Sequence, residues 1–371
     1  MAIPPLVEPV DVLDDAEALR TARHRVLAGF GDIAQRRLAA AHVAVVGAGG
    51  LGSPVVLALA GAGVGTISIV DDDLVEASNL QRQVMHRVAD IGARKVDSAV
   101  RIAADLSPTT RVRPIHEHLT LANAAELLAG ADVVIDGTDT FETREAVAAG
   151  CDALGVPLVW GVVQEFHAQV TVFWSRPPEG VPTVGLADLY PPGSMGGVPS
   201  CAAVGVLGTL CLQTGSLLAT EAIKLLTGVG EPALGRVLVV DALRGRVDDV
   251  PLRPARSTAA PVAADPAHPG RVPPAIPQLD PEQTRAARAA GATLVDVREP
   301  HETALGTIDG SIEVPLATLL SEPALAGAGP VVVVCQVGAR AQRAAHTLVA
   351  AGIPASVLAG GIEAWQREEP V

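Results

Sequence analysis

Val43-Ala44-Val45-Val46, running into Gly47-Ala48-Gly49-Gly50-Leu51-Gly52-Ser53, is the stretch that decides how this chain folds. An apolar run rich in valine reads as a strand buried on both faces. The glycines behind it read as a turn that hands the chain to a helix N-terminus. Unpaired N–H groups there bind phosphate, and only glycine lets the backbone close in on the anion. A second apolar run, Thr66-Ile67-Ser68-Ile69-Val70, ends at Asp71. Strand, glycine turn, helix and a strand closing on an acid make a nucleotide-binding α/β unit, in which the acid holds ribose hydroxyls.

The glycines alone fit ATP or NAD. The two are separated by the polar stretch downstream, Ser78-Asn79-Leu80-Gln81-Arg82-Gln83, with Arg94 and Lys95 close behind. Arg and Lys neutralise a triphosphate and its departing pyrophosphate, whereas a hydride-transfer site has less need of them. Further apolar runs at Val133-Val134-Ile135-Asp136, Pro157-Leu158-Val159-Trp160 and Gln169-Val170-Thr171-Val172-Phe173 alternate with alanine-rich helical patterns. That alternation predicts a doubly wound, mostly parallel sheet. Ligands in such sheets bind outside the carboxyl ends of the strands, where Gly47 to Ser53, Asp71 and Asp139 converge. The longest apolar helix, expected over 204–226, is interrupted by Gln213, Thr214, Glu221 and Lys224, and so reads as a buried or dimer-lining helix, not a membrane span.

Composition narrows the partners. With 371 residues the chain is long enough for two cores, and with 2% aromatics those cores are aliphatic. A formal net charge of −14 disfavours nucleic acid and anionic membranes. The proline- and acid-rich start is unlike a signal peptide, so a cytoplasmic protein is expected. Four scattered cysteines, at 151, 201, 211 and 335, suggest reduced thiols and not a disulfide framework.

From Pro254 to Pro277 the chain loses periodicity and reads as a Pro/Ala-rich linker, separating a domain over 1–253 from another over 278–371. The second domain repeats the α/β pattern. Its four valines, Val331 to Val334, carry the chain to Cys335, and Gln336-Val337-Gly338-Ala339-Arg340 leads into a helix expected over 341–351. A thiol at a helix N-terminus is a nucleophile candidate, since the positive end of the dipole favours the thiolate. Curled N–H groups together with the Arg340 guanidinium would form an anion cradle. Such cradles serve phosphatases and sulfurtransferases alike.

The first domain resembles the ThiF/MoeB family of adenylyltransferases, related to ubiquitin-activating enzymes. The motifs that carry this are Gly-Ala-Gly-Gly-Leu-Gly-Ser, Val70-Asp71, Ser-Asn-Leu-Gln-Arg-Gln, Gly137-Thr138-Asp139 and Val198-Pro199-Ser200-Cys201. The resemblance implies that Gly47, Gly49, Gly50, Gly52, Asp71, Ser78, Asn79, Leu80, Gln81, Arg82, Lys95 and Thr140 surround ATP and that Asp139 holds magnesium. It also implies a homodimer in which Arg23 reaches the neighbouring subunit's phosphates, and a Cys201 that takes a covalent bond to the substrate. The second domain resembles a rhodanese, on Asp296-Val297-Arg298-Glu299, Cys335 to Arg340 and Gly360-Gly361-Ile362-Glu363-Ala364-Trp365. Cysteine phosphatases have five residues between Cys and Arg, where this chain has four. The resemblance makes Cys335 the persulfide carrier and Arg340 its cradle, while Asp296 and Arg298 read as scaffold.

Together the two domains imply activation of a ubiquitin-like sulfur-carrier protein ending in Gly-Gly, of the kind that serves molybdopterin or thiamine synthesis. Adenylation of its C-terminal carboxylate would precede sulfur transfer from Cys335, with thiosulfate or a cysteine desulfurase as donor. Relatives often bind zinc through two Cys-x-x-Cys pairs. Here Pro182-Thr183-Val184-Gly185 and the cysteine-free tail after Leu252 replace them, so zinc is not expected. Thr140 stands where relatives have asparagine. Two rival readings remain open: an NAD-binding oxidoreductase with an appended sulfur domain, and a non-catalytic scaffold for a ubiquitin-like protein.

Overall fold

A computed structural model of the chain describes residues 3–191, 205–254, 276–327, 329–336 and 338–368. Cys201 and residues 255–275 of the expected linker lie outside the described residues. The described chain divides into two compact units, 3–254 and 276–368.

The first unit is built on eight strands: β1 (His42–Val46), β2 (Thr66–Val70), β3 (Arg111–Ile115), β4 (Val133–Asp136), β5 (Leu158–Gln164), β6 (His167–Phe173), β7 (Arg236–Asp241) and β8 (Arg246–Pro251). They lie in the order β3-β2-β1-β4-β5-β6-β7-β8. The first five are parallel and the last three antiparallel. Chain direction across the sheet reverses between β1 and β4, which opens the crevice where doubly wound folds take their ligands. The apolar runs of β1, β2 and β4 are buried along nearly their whole length, as expected for strands covered on both faces.

The helix Gly52–Ala62 carries apolar residues all round and is buried accordingly. It stops at Gly63, whose φ of 82° satisfies the helix end in the left-handed region. Against it packs the helix Gly208–Thr227, at Gly215, where a Cβ would run into Pro54 and the Leu51 carbonyl. The sequence pattern places the start of this helix at 204. It begins at Gly208 because Gly205 takes a φ of 81° and Val206 bridges to Glu165, which commits that stretch to extended pairing. Val184, in the stretch that replaces a family zinc motif, is buried in the core and pairs with Trp174.

The second unit is a five-stranded sheet of β9 (Gln278–Leu279), β10 (Thr293–Asp296), β11 (Ile312–Glu313), β12 (Val331–Val334) and β13 (Ala355–Leu358), in the order β11-β10-β12-β13-β9. All its pairings are parallel. The four valines of β12 occupy its centre and are buried on both faces. At roughly 1.5–3 kcal/mol for each fully buried aliphatic side chain, this strand firmly anchors the turn at its carboxyl end. That turn opens with Cys335.

Candidate functional site

In the first unit the site assembles at the β1/β4 reversal. Gly47 leaves β1 with a φ of 91°, and a Cβ on it would sit 3.0 Å from the Gly137 carbonyl at the end of β4. A Cβ on Gly52 would overlap the Gly47 carbonyl oxygen. These two glycines are therefore demanded by backbone packing. Gly49 and Gly50 are half-buried, and the nearest atoms to a Cβ on Gly49 and Gly50 include Gln83, Arg82 and Cys211. The loop thus brings backbone close to the Arg82 side chain.

Ala48 fixes the loop from two sides. Its N–H donates to Asp71 Oδ2 at 2.7 Å, and its carbonyl accepts from His86 Nε2 at 3.1 Å. Asp71 Oδ1 accepts the Asp73 N–H at 2.9 Å, so this carboxylate braces the loop as well as facing the crevice. Burial raises the Asp71 pKa, with Lys95 opposing the rise, and burial lowers that of His86. A neutral His86 with its proton on Nε2 suits the carbonyl, which can only accept. His86 drew no attention in the sequence. Its signal, a histidine four residues past Arg82, is invisible without the fold.

The polar stretch is partly self-supporting. Asn79 is buried and its Oδ1 accepts the Glu76 N–H at 3.1 Å, closing the turn Ala77–Asn79. Ser78 Oγ donates to Glu76, and the Gln81 backbone lies against Gly208. Leu80 is half-buried between them. Arg82 donates to the Ser78 carbonyl at 3.2 Å and has no carboxylate partner among the described residues. Lys95 is buried and pairs with the exposed Asp73 at 2.7 Å, a partner the sequence reading missed. Arg23 is exposed in the short helix Ala22–Arg25, and its side chain makes no hydrogen bond or ion pair among the described residues.

Past β4, Thr140 caps the helix Phe141–Leu154 by accepting the Thr143 N–H. Asp139, beside it, is exposed and forms no hydrogen bond or ion pair among the described residues. A magnesium ion takes one or two carboxylates and completes its shell with phosphate oxygens and water. A lone exposed carboxylate just past the carboxyl end of β4 fits that donor set, although no cluster of three metal-binding side chains occurs among the described residues.

In the second unit Cys335 is 1% exposed, and its Sγ accepts the Gly338 N–H at 3.1 Å. Gly338 turns the chain at a φ of 110°, so the helix begins at Ala339 and Arg340 stands in its first turn. A Cβ on Gly361 would overlap the Cys335 and Gln336 carbonyls, and Ile362 N–H donates to the Cys335 carbonyl at 2.9 Å. The cradle differs from the sequence expectation in one respect. Both Nη atoms of Arg340 are held by Glu302, at 2.5 and 2.6 Å, and that hydrogen bonding raises the arginine pKa. The guanidinium therefore meets a carboxylate before any anionic donor.

Arg298 lies buried across Asp296, at 2.7 Å, and also donates to the Gly306 carbonyl. This pair ties the chain after β10 and does scaffold work. Asp296→Ala leaves a buried guanidinium without its counter-ion and is expected to cost about 3–5 kcal/mol. A urea unfolding midpoint equal to that of the unsubstituted chain would refute this.

Comparison with known proteins adds to the geometry. The chain matches the ThiF family over residues 21–262 and the rhodanese-like domain over residues 280–368. It is 41% identical over 387 residues to the probable adenylyltransferase/sulfurtransferase MoeZ of Mycobacterium tuberculosis, covering 99% of this chain and 97% of that protein. It is 41% identical over 244 residues to the sulfur carrier protein adenylyltransferase of Thermus thermophilus, covering 66% of this chain and 89% of that one. A crystal structure of PaaA shares the fold, with a TM-score of 0.54 at 21% identity, over 66% of this chain and 76% of that one.

Proposed function

The chain belongs to the ThiF family and carries a rhodanese-like domain, which makes it an adenylyltransferase and a sulfurtransferase; we propose that both chemistries act in turn on one substrate, a ubiquitin-like sulfur-carrier protein ending in Gly-Gly. The observation that carries the first step is the unpartnered Asp139 carboxylate at the same crevice as the glycine loop and Arg82. ATP is the nucleotide substrate. The carrier's terminal carboxylate attacks its α-phosphorus, the bond to the β-phosphate oxygen breaks, and pyrophosphate departs. Arg82 and Lys95 offset the charge that develops on the leaving group. Asp139 would hold a magnesium ion, which supplies further charge neutralisation on the phosphates. Asp71 receives the ribose.

The product is an acyl-adenylate. For the second step the outer sulfur of a Cys335 persulfide attacks its carbonyl, and the bond to AMP breaks. A reducing thiol then attacks Cys335 Sγ and breaks the sulfur–sulfur bond, releasing the carrier as a thiocarboxylate and leaving a mixed disulfide on Cys335, which a second thiol reduces to the free Cys335 thiol with release of a disulfide. Thiosulfate or the persulfide of a cysteine desulfurase recharges Cys335. Within this reading the protein is a homodimer, with Arg23 serving the neighbouring crevice, and it works in the cytoplasm, where buried thiols such as Cys151 and Cys211 stay reduced. Among the described residues no helix is long and apolar enough to cross a membrane.

The test is formation of AMP and pyrophosphate from ATP in the presence of purified Gly-Gly carriers, with intact mass spectrometry to detect sulfur replacing oxygen. Asp139→Ala is expected to abolish AMP formation while carrier binding persists. Carrier binding with no AMP from the unsubstituted chain would favour a scaffold, and nicotinamide binding in place of ATP would favour an oxidoreductase. Either outcome overturns the proposal.

A further inference from the structure

The sequence assigns no role to Asp136, the last residue of β4, or to Arg144 in the helix that follows, yet both are buried, at 0% and 4% exposure. No ion pair joins them among the described residues, and Asp136 Oδ2 and Arg144 Nε lack any partner there. Ionisable groups are costly to bury unless they are well paired. These two residues share Thr138. Asp136 Oδ1 accepts the Thr138 N–H at 2.9 Å and its Oγ1–H at 2.7 Å, while Arg144 Nη2 donates to the Thr138 carbonyl at 3.0 Å. The guanidinium is seated over the buried Trp160 ring, 5.8 Å from its centroid.

The neighbours of Thr138 are held as firmly. Gly137 donates to the Val46 carbonyl at 2.8 Å, and a Cβ on it would press on the Gly52 backbone nitrogen at 3.1 Å and the Val46 carbonyl at 3.2 Å. Thr140 caps the following helix. Of the side chains over 137–140, only that of Asp139 is left without a partner among the described residues. We infer that Asp136 and Arg144 are positioning residues of the adenylation site, clamping Thr138 from both sides so that the backbone bearing Asp139 is set before nucleotide arrives. This rests on reading Asp139 as the metal carboxylate. Groups that orient a ligand without touching the metal typically change affinity or activity by about 10- to 100-fold.

The experiment uses the full chain and three measurements: hydrogen exchange of the 137–140 amides without ligand, the magnesium concentration giving half-maximal carrier-dependent ATP–pyrophosphate exchange, and sulfur transfer from thiosulfate to cyanide. Arg144→Lys keeps the charge but loses the planar fork. Asp136→Ala removes the acceptor, and Asp136→Asn restores an oxygen at Thr138. Arg144→Lys and Asp136→Ala are expected to speed amide exchange and raise half-saturation by about 10- to 100-fold, with sulfur transfer unchanged and Asp136→Asn recovering most of the loss. Should Asp136→Ala fail to fold, Thr138→Val deletes only the hydroxyl and is expected to shift both readouts in the same direction. Wild-type half-saturation and protection in Arg144→Lys and Thr138→Val, beside an inactive Asp139→Ala, would overturn the clamp and leave the site reading standing. An Asp139→Ala variant with normal magnesium dependence would overturn both.

Discussion

Cys335→Ala is expected to lower sulfur transfer by about a thousandfold or more while carrier-dependent pyrophosphate release continues, because in the proposed mechanism it removes the atom that carries the sulfur which attacks the carbonyl. Alanine fits the site. Cys335 is almost wholly buried at the end of a strand made of valines, and its backbone carbonyl, which receives Ile362 N–H, is unaffected by the change. The one hydrogen bond removed among the described residues is that which Sγ accepts from the Gly338 N–H, so the loss would be chemical with at most a local effect on that turn. Acyl-adenylate should accumulate, or hydrolyse back to carrier and AMP, since its formation uses residues of the other unit. Loss of pyrophosphate release together with sulfur transfer would show that the two activities are not separable. The Arg340–Glu302 pair bears on which donor recharges the thiol: a dianion such as thiosulfate must compete with a carboxylate already 2.5 Å from the guanidinium. Glu302→Gln relieves that competition, and the KM for thiosulfate is expected to fall several-fold.

Much of this was legible in the residues. Periodicity and glycine placement located the strands at β1, β2, β4 and β12, because buried parallel strands must be apolar along their length. Chain direction placed Gly47, Asp71 and Asp139 at one end of the sheet, and the family motif Gly137-Thr138-Asp139 singled out the last of them. Second partners stayed hidden. Nothing in Lys95 says that Asp73 meets it, and nothing in Ala48 says that His86 and Asp71 hold its two backbone groups. Arg144, inside an alanine-rich helix, looks like a solvated charge until Trp160 and Thr138 are placed around it. The start of the long helix was misplaced for a local reason, the left-handed Gly205, which hydrophobic pattern does not register. Interactions along the chain can be read from spacing, whereas those across the sheet need the topology.

Gly52→Ala is expected to reduce adenylation by about a hundredfold or more, the scale on which catalysis responds to an ångström of misplacement. A single methyl suffices because the loop cannot retreat. The new Cβ would overlap the Gly47 carbonyl oxygen, and Gly47, at a φ of 91°, faces the Gly137 backbone on its other side, where even a Cβ on Gly47 would come within 3.0 Å of the Gly137 carbonyl. Relief requires β1 and β4 to part at the crevice or the helix Gly52–Ala62 to slide, and its buried faces resist sliding. Overpacking of this kind typically costs about 1–3 kcal/mol, so the variant should fold with a displaced loop. Gly61→Ala in the same helix is the control: nothing lies within 4 Å of its Cβ, and alanine there should be neutral or stabilise by up to about 1 kcal/mol. Both variants should keep sulfur transfer from Cys335. ATP–pyrophosphate exchange measured on the pair separates loop geometry from helix propensity. Wild-type exchange in Gly52→Ala would mean that the nucleotide does not sit on this loop.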